Sequence, residues 1–183
     1  MDGRLQGKEV AVLRPTQDDI YGVDAMSQKG FTLVELMVTL AVLAIVLSMA
    51  APSFSSMLQE NRASTLGSEL QGALQFARSE AVKRRQSVVI CRSNAAGSSC
   101  ENGTDWSGGW LVRQASGSVI KVWDSVSGLA IVGPNAGVSF LGSGMASSAS
   151  NFSVKPSSCS GEQKRLVTVS VTGAATVSKA ACE

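Results

Sequence analysis

Lys29-Gly30-Phe31-Thr32-Leu33-Val34-Glu35 places a basic residue and a glycine ahead of a phenylalanine. It also sets one carboxylate at the head of an uncharged stretch from Leu36 to Gln59. An ionisable side chain at the edge of a membrane-length apolar run is costly, and it marks function by default. Left unpaired, Glu35 would be neutralised or driven to a cationic partner by its desolvation cost. On a helix it projects from about the same face as Phe31, four residues earlier. The chemistry this suggests is pairing rather than turnover.

The remaining reactive residue types narrow the choice further. The chain has no histidine, so Ser-His-Asp and Cys-His catalysis lack their base. No glycine-rich phosphate loop followed by Lys-Ser or Lys-Thr occurs. Glu101 and Asp105 share a loop with Trp106 and Trp110, which could sketch a binding groove. Solvated acids beside packed tryptophans are the simpler reading. No catalytic residues and no cofactor are expected. The four cysteines, Cys91, Cys100, Cys159 and Cys182, all follow the apolar segment. An even count on a translocated side reads as disulfides. Three pairings are possible, and Cys91–Cys100 with Cys159–Cys182 is favoured because each closes a loop between sequence neighbours. A zinc site would want histidine or a close Cys-x-x-Cys pair, and neither is present, so no metal is expected.

The elements that must hold these residues can be read from periodicity. Leu36 to Leu47 is apolar all round apart from Thr39, and charge-free sequence continues past Pro52 to Gln59. That suffices for a bilayer-spanning helix of about 20 residues. Ala50-Ala51-Pro52 resembles the small-residue end of an ordinary signal peptide, but a carboxylate on the apolar side of Phe31 argues against one. Pro52 removes a helical hydrogen bond and predicts a kink. From Ser53 to Gln86 the helix becomes amphipathic, with Phe54, Leu58, Leu66, Leu70, Ala73, Leu74, Ala77 and Ala81 at three- and four-residue steps. Lys83-Arg84-Arg85, with Arg92, would close the helix C-terminus, where cations complement the dipole, or contact a neighbouring subunit.

Beyond Gln86 the pattern is β. Strands are expected at Ser87–Cys91, Trp110–Arg113, Val119–Trp123, Val138–Phe140, Phe152–Lys155, Arg165–Val171 and Ala175–Ser178. Ala115-Ser116-Gly117 forms a hairpin turn between the second and third. Ala95–Gly109 and Gly142–Ser150 read as loops. The fold class is α+β: a long N-terminal helical spine, transmembrane in its first half, packed on a small antiparallel β domain. The expected divisions are a leader over 1–30, a membrane half of the helix over 31–52, an amphipathic half over 53–86 and a periplasmic β domain over 87–183. Residues 1–25 are acidic and polar, an odd leader, and Met26-Ser27-Gln28-Lys29-Gly30 alone would make a short basic one. Met26 rather than Met1 is therefore the expected start. The chain beyond Gly30 has 153 residues (183 less 30), with 12 basic and 9 acidic side chains. A net charge of +3 does not by itself imply a nucleic-acid partner.

The junction at residues 29–35 resembles the prepilin signal of type IV pilins and type II secretion pseudopilins. That resemblance implies cleavage between Gly30 and Phe31 by a prepilin peptidase and N-methylation of Phe31. It makes Glu35 the fifth mature residue, paired with the N-terminal amine of a neighbouring subunit. Leu74 to Arg84, then Val89-Ile90-Cys91-Arg92-Ser93, then Trp106 and Gly109-Trp110-Leu111-Val112, are similar to the GspH/FimT group of minor pilins and pseudopilins. The group implies a single-pass inner-membrane protein with its C-terminal domain in the periplasm. Its role would be that of a type IV minor pilin that primes assembly and sits at or near the filament tip. Its partners would be other minor pilins or pseudopilins and the major pilin. The alternatives are a type II secretion minor pseudopilin or a FimT-like DNA-binding pilin. DNA-binding members carry a Gly-Arg-x-Arg-like motif near the last cysteine. Here Thr172 to Lys179 has no arginine, and Lys164, Arg165 and Lys179 are the only cations nearby. Neutralising several phosphates needs more, so DNA is not an expected partner.

Overall fold

A computed structural model of the chain describes residues 30–182, with backbone alone at positions 51 and 52. The expected leader and the choice between Met1 and Met26 lie outside the described residues, except for Gly30. The elements are α1 (Leu33–Arg84), β1 (Val88–Arg92), β2 (Trp110–Gln114), β3 (Val119–Trp123), β4 (Leu129–Val132), β5 (Val138–Phe140), β6 (Ser150–Pro156), β7 (Lys164–Val169) and β8 (Ala175–Ala180). The residues fall into two units divided within α1, one ending at Ala44 and the other beginning at Ile45.

In the first unit, α1 begins at a side-chain cap. Thr32 Oγ1 accepts the Glu35 N–H at 3.2 Å, and the Thr32 carbonyl accepts the Leu36 N–H at 3.1 Å. Threonine followed three residues later by glutamate is the capping-box spacing. The cap fixes the first helical residue at Leu33. Phe31 therefore precedes the helix, which corrects the expectation that Phe31 and Glu35 share a helical face. The large apolar side chains from Leu33 to Leu43 are all more than half exposed. Thr39 returns its hydroxyl to the Leu36 carbonyl at 2.8 Å, so the one polar interruption is satisfied within the helix.

In the second unit, α1 buries Ala63, Leu66, Leu70, Ala73, Leu74, Ala77 and Ala81 on one stripe. Each of the three leucines contributes about 1.5–3 kcal/mol by leaving water. Phe54 and Leu58, expected to open this stripe, are instead 64% and 43% exposed. The turn around Ser56 to Glu60 meets polar groups of the β domain rather than its core. At the other end, Gln86 N–H bonds the Ala81 carbonyl and Arg85 N–H the Val82 carbonyl, both at 3.2 Å, with Arg85 at φ 54°. This Schellman closure ends the helix at Arg84, two residues before the expected Gln86.

The β strands form two antiparallel four-stranded sheets, ordered β3-β2-β1-β5 and β4-β6-β7-β8. The β2–β3 hairpin turns at Ala115–Gly117, where Gly117 N–H bonds the Gln114 carbonyl at 3.0 Å. Two departures from expectation have local causes. Strand β4 adds to the expected strands; its four residues lack alternation and are fixed by pairing with β6. Strand β7 stops at Val169 because Val171 lies in a turn closed by Gly173 (φ 81°), whose N–H bonds the Ser170 carbonyl at 2.9 Å. The shared core holds Trp106, Trp110, Phe140 and Phe152, all fully buried, with the Trp106 and Phe152 rings edge-on at 4.9 Å.

Candidate functional site

At the N-terminal junction, Gly30 and Phe31 lie ahead of α1, with Phe31 81% exposed. Glu35 sits in the first helical turn, where a negative charge complements the helix dipole. The next charged residue along the helix is Glu60. Between them the sequence carries no charge, and by length and composition α1 is long and apolar enough to cross a membrane. Pro52 lies within the helix, which continues through that position.

A second set of polar residues joins α1 to the β domain, and no local pattern along the chain marks it. Glu60 Oε1 accepts from Arg165 Nη2 at 3.0 Å and from Lys179 Nζ at 2.6 Å. One turn back, Gln163 Nε2 donates to Ser56 Oγ at 2.9 Å, and Gln59 Nε2 donates to Ser158 Oγ at 3.2 Å. Hydrogen bonds from Lys179 and then Arg165 hold the Glu60 carboxyl below its ordinary range. The Arg165 guanidinium is buried and also donates to the Glu162 and Lys164 carbonyls. Two of the three residues considered for nucleic-acid contact, Arg165 and Lys179, are thus committed to a carboxylate on α1. Lys164 opens β7 and is half-buried.

Disulfides join Cys91 to Cys100 and Cys159 to Cys182. The second encloses β7 and β8, the strands that carry Arg165 and Lys179. Cys182 N–H also bonds the Gly161 carbonyl at 2.9 Å, holding the C-terminal end against the β6–β7 connection.

The loop acids have structural duties. Asp105 accepts from the Ser107 hydroxyl and backbone N–H, which together hold its carboxyl low, with Arg92 adding a smaller effect. Glu101 pairs with Arg92 at 3.5 Å. Trp106 and Trp110 are fully buried, so they leave no groove between them and the acids; Trp106 Nε1 donates to the Pro134 carbonyl at 3.2 Å. In the basic run after Val82, Arg84 and Lys83 both engage Glu80, at 2.7 and 3.7 Å. Among the described residues no group of three His, Cys, Asp or Glu side chains is placed to hold a metal ion.

Comparison with known proteins bears on both regions. The prokaryotic N-terminal methylation motif matches residues 25–51, spanning the Gly30–Phe31 bond and Glu35. The type IV minor pilin FimU of Pseudomonas aeruginosa shares the fold, with a TM-score of 0.54 and 22% identity over 67% of this chain and 92% of that one. A second crystal form of FimU gives 0.50 and 23% over 63% and 91%. The minor pseudopilin EpsH from the type 2 secretion system of Vibrio cholerae gives 0.44 and 17% over 65% and 96%. No curated protein matches by sequence. The family described as type II transport protein GspH matches residues 67–173, 107 of the 183. A match over more than half its length decides the matter: the chain belongs to the GspH family, whose members are pilin-like structural subunits rather than enzymes.

Proposed function

We propose that this subunit is a minor pilin of a type IV pilus, one that helps prime filament assembly and sits at or near the tip. The observation that carries the proposal is the head of α1. The Gly30–Phe31 junction, inside the methylation motif, is followed by a capped helix whose only charge before Glu60 is Glu35. In lipid that carboxylate needs a cation, and the amine released in front of Phe31 of a neighbouring subunit is the one that processing creates. A prepilin peptidase would cut after Gly30, and Phe31 would then be N-methylated. Pro52, which cannot donate to the helical ladder, would supply a kink between the membrane half of α1 and the half seated on the β domain. The two disulfides suit an oxidising periplasm, with the helix crossing the inner membrane once. The other minor pilins and the major pilin are the proposed neighbours.

A type II secretion minor pseudopilin is the second reading, supported by the description of the family itself. DNA binding has less support, because Arg165 and Lys179 are already paired with Glu60. Deleting and complementing the gene separates the first two. Loss of surface pili with protein secretion intact is the expected result. Loss of secretion with pili intact would transfer the subunit to the secretion system.

A further inference from the structure

Near the C-terminal end of α1, thirty residues beyond Pro52 (82 − 52) and about 45 Å along a helix, three segments converge on Gly144. A side chain at Gly144 would lie 2.9 Å from Val82 Cγ2. Arg78 reaches over from α1, its Nε donating to the Gly144 carbonyl at 2.9 Å and its Nη2 to the Thr172 carbonyl at 3.1 Å. The Leu141 N–H closes a turn onto the Met145 carbonyl at 2.8 Å, and the Ala146 N–H bonds the Val171 carbonyl at 3.0 Å.

This meeting point leaves Val82, Leu141, Met145 and Val171 on the surface, 49%, 44%, 45% and 47% exposed. One such residue is ordinary, but four large ones gathered at a junction form a patch. A groove of about 520 Å³ beside it is lined by Gln75, Arg78, Ser79, Val82 and Lys83. The rim is basic. Arg78 and Lys83 line the groove and Arg85 borders it through Gly142, while Arg84, about 200° round the helix from Val82, pairs with Glu80, which Lys83 also approaches at 3.7 Å. Arg85 is exposed, and its backbone lies against Gly142, next to Leu141.

We propose that this patch docks a different subunit, one whose contact face is apolar with an acidic rim. The proposal rests on the chain being a filament subunit. A second copy meeting it patch to patch would bring the two basic rims together, a like-charge juxtaposition that disfavours self-association. A nucleic acid would use the cations and leave the four apolar side chains without a partner. An apolar face edged by carboxylates satisfies both features at once.

The test places the photo-crosslinker p-benzoylphenylalanine at Met145 of the full chain, with exposed Ser116 in the β2–β3 turn as the control position. The chain is co-expressed in membranes with each of the other prepilin-signal subunits of its own organism in turn. The expected result is an adduct from position 145 and none from 116, mapping to a peptide rich in Asp or Glu. Lys83→Glu with Arg85→Glu should lower its yield about tenfold, and a matching charge reversal in the partner should restore it. Absence of an adduct overturns the proposal if the chain keeps both disulfides and its native tryptophan fluorescence. So does an adduct confined to a second copy, to nucleic acid or to lipid, and so does an adduct insensitive to the charge reversal. N-terminal processing at Gly30, followed in the same samples, separates failure of the patch from failure of the filament reading.

Discussion

Replacing Cys159 and Cys182 by alanine tests what the second disulfide contributes. The two residues are 23 apart in sequence. In the chain-entropy model a loop of that length costs the denatured state about 11.4 cal/mol/K, or about 3.4 kcal/mol at 25 °C. Both cysteines are only partly buried, so alanine leaves no large cavity to confuse the comparison. Cys91, 2% exposed, would not offer so clean a test. A domain of this size has about 5–15 kcal/mol of stability in total, so the loss is a large fraction of it. Urea unfolding of the full chain in detergent is the assay, followed by tryptophan fluorescence. Trp106, Trp110 and Trp123 all lie in the β domain and report on it alone. The midpoint should fall by about 1–3 M. The bridge also encloses the strands carrying Arg165 and Lys179, so amide exchange should quicken along Ser56 to Glu60. A stability loss below about 1 kcal/mol would refute the reasoning, because the loop would then already be restrained by its strands.

Three further perturbations follow from the same contacts. The Glu60 carboxyl is held low, so its contribution is fully present above the unfolded value of 4.5 and disappears as pH falls through the folded value. Glu60→Gln should therefore flatten part of the acid limb of a stability-against-pH curve below that value, and an unchanged limb would exclude the clamp as its source. Gly133→Ala would set a methyl 2.5 Å from Phe152 Cδ1 and 2.9 Å from Trp106 Nε1. It should destabilise by about 1–3 kcal/mol through overpacking, measured by the same urea titration. Glu35→Gln should leave cleavage and membrane insertion intact but reduce recovery in sheared filaments. Normal recovery would remove the carboxylate from assembly.

What the sequence disclosed and what it hid differ in range. The capping of α1 is a local pattern, Thr32 to Glu35, legible along the chain itself. The β2–β3 hairpin and the helical stripe from Leu66 to Ala81 are likewise set by neighbours along the chain. The Glu60 clamp joins residues 105 and 119 positions apart, and no local pattern marks it. Strand β4 was hidden for a similar reason: Leu129–Val132 is short, and its pairing with β6 decides its state. Val171 misled in the opposite sense. It continues the alternation of Val167 and Val169, yet Gly173 permits a turn that leaves it exposed. The simpler reading of Trp106 and Trp110, packed tryptophans beside solvated acids, holds in the core, because large aromatic rings gain most by leaving water.

The central claim is that this chain enters a filament through a processed N-terminus. Intact mass and N-terminal sequence of the protein recovered from membranes, with and without the prepilin peptidase, test it most directly. The expected result is an N-methylated Phe31 terminus only when the peptidase is present. An uncut chain in both samples, or a terminus near Pro52, would contradict it.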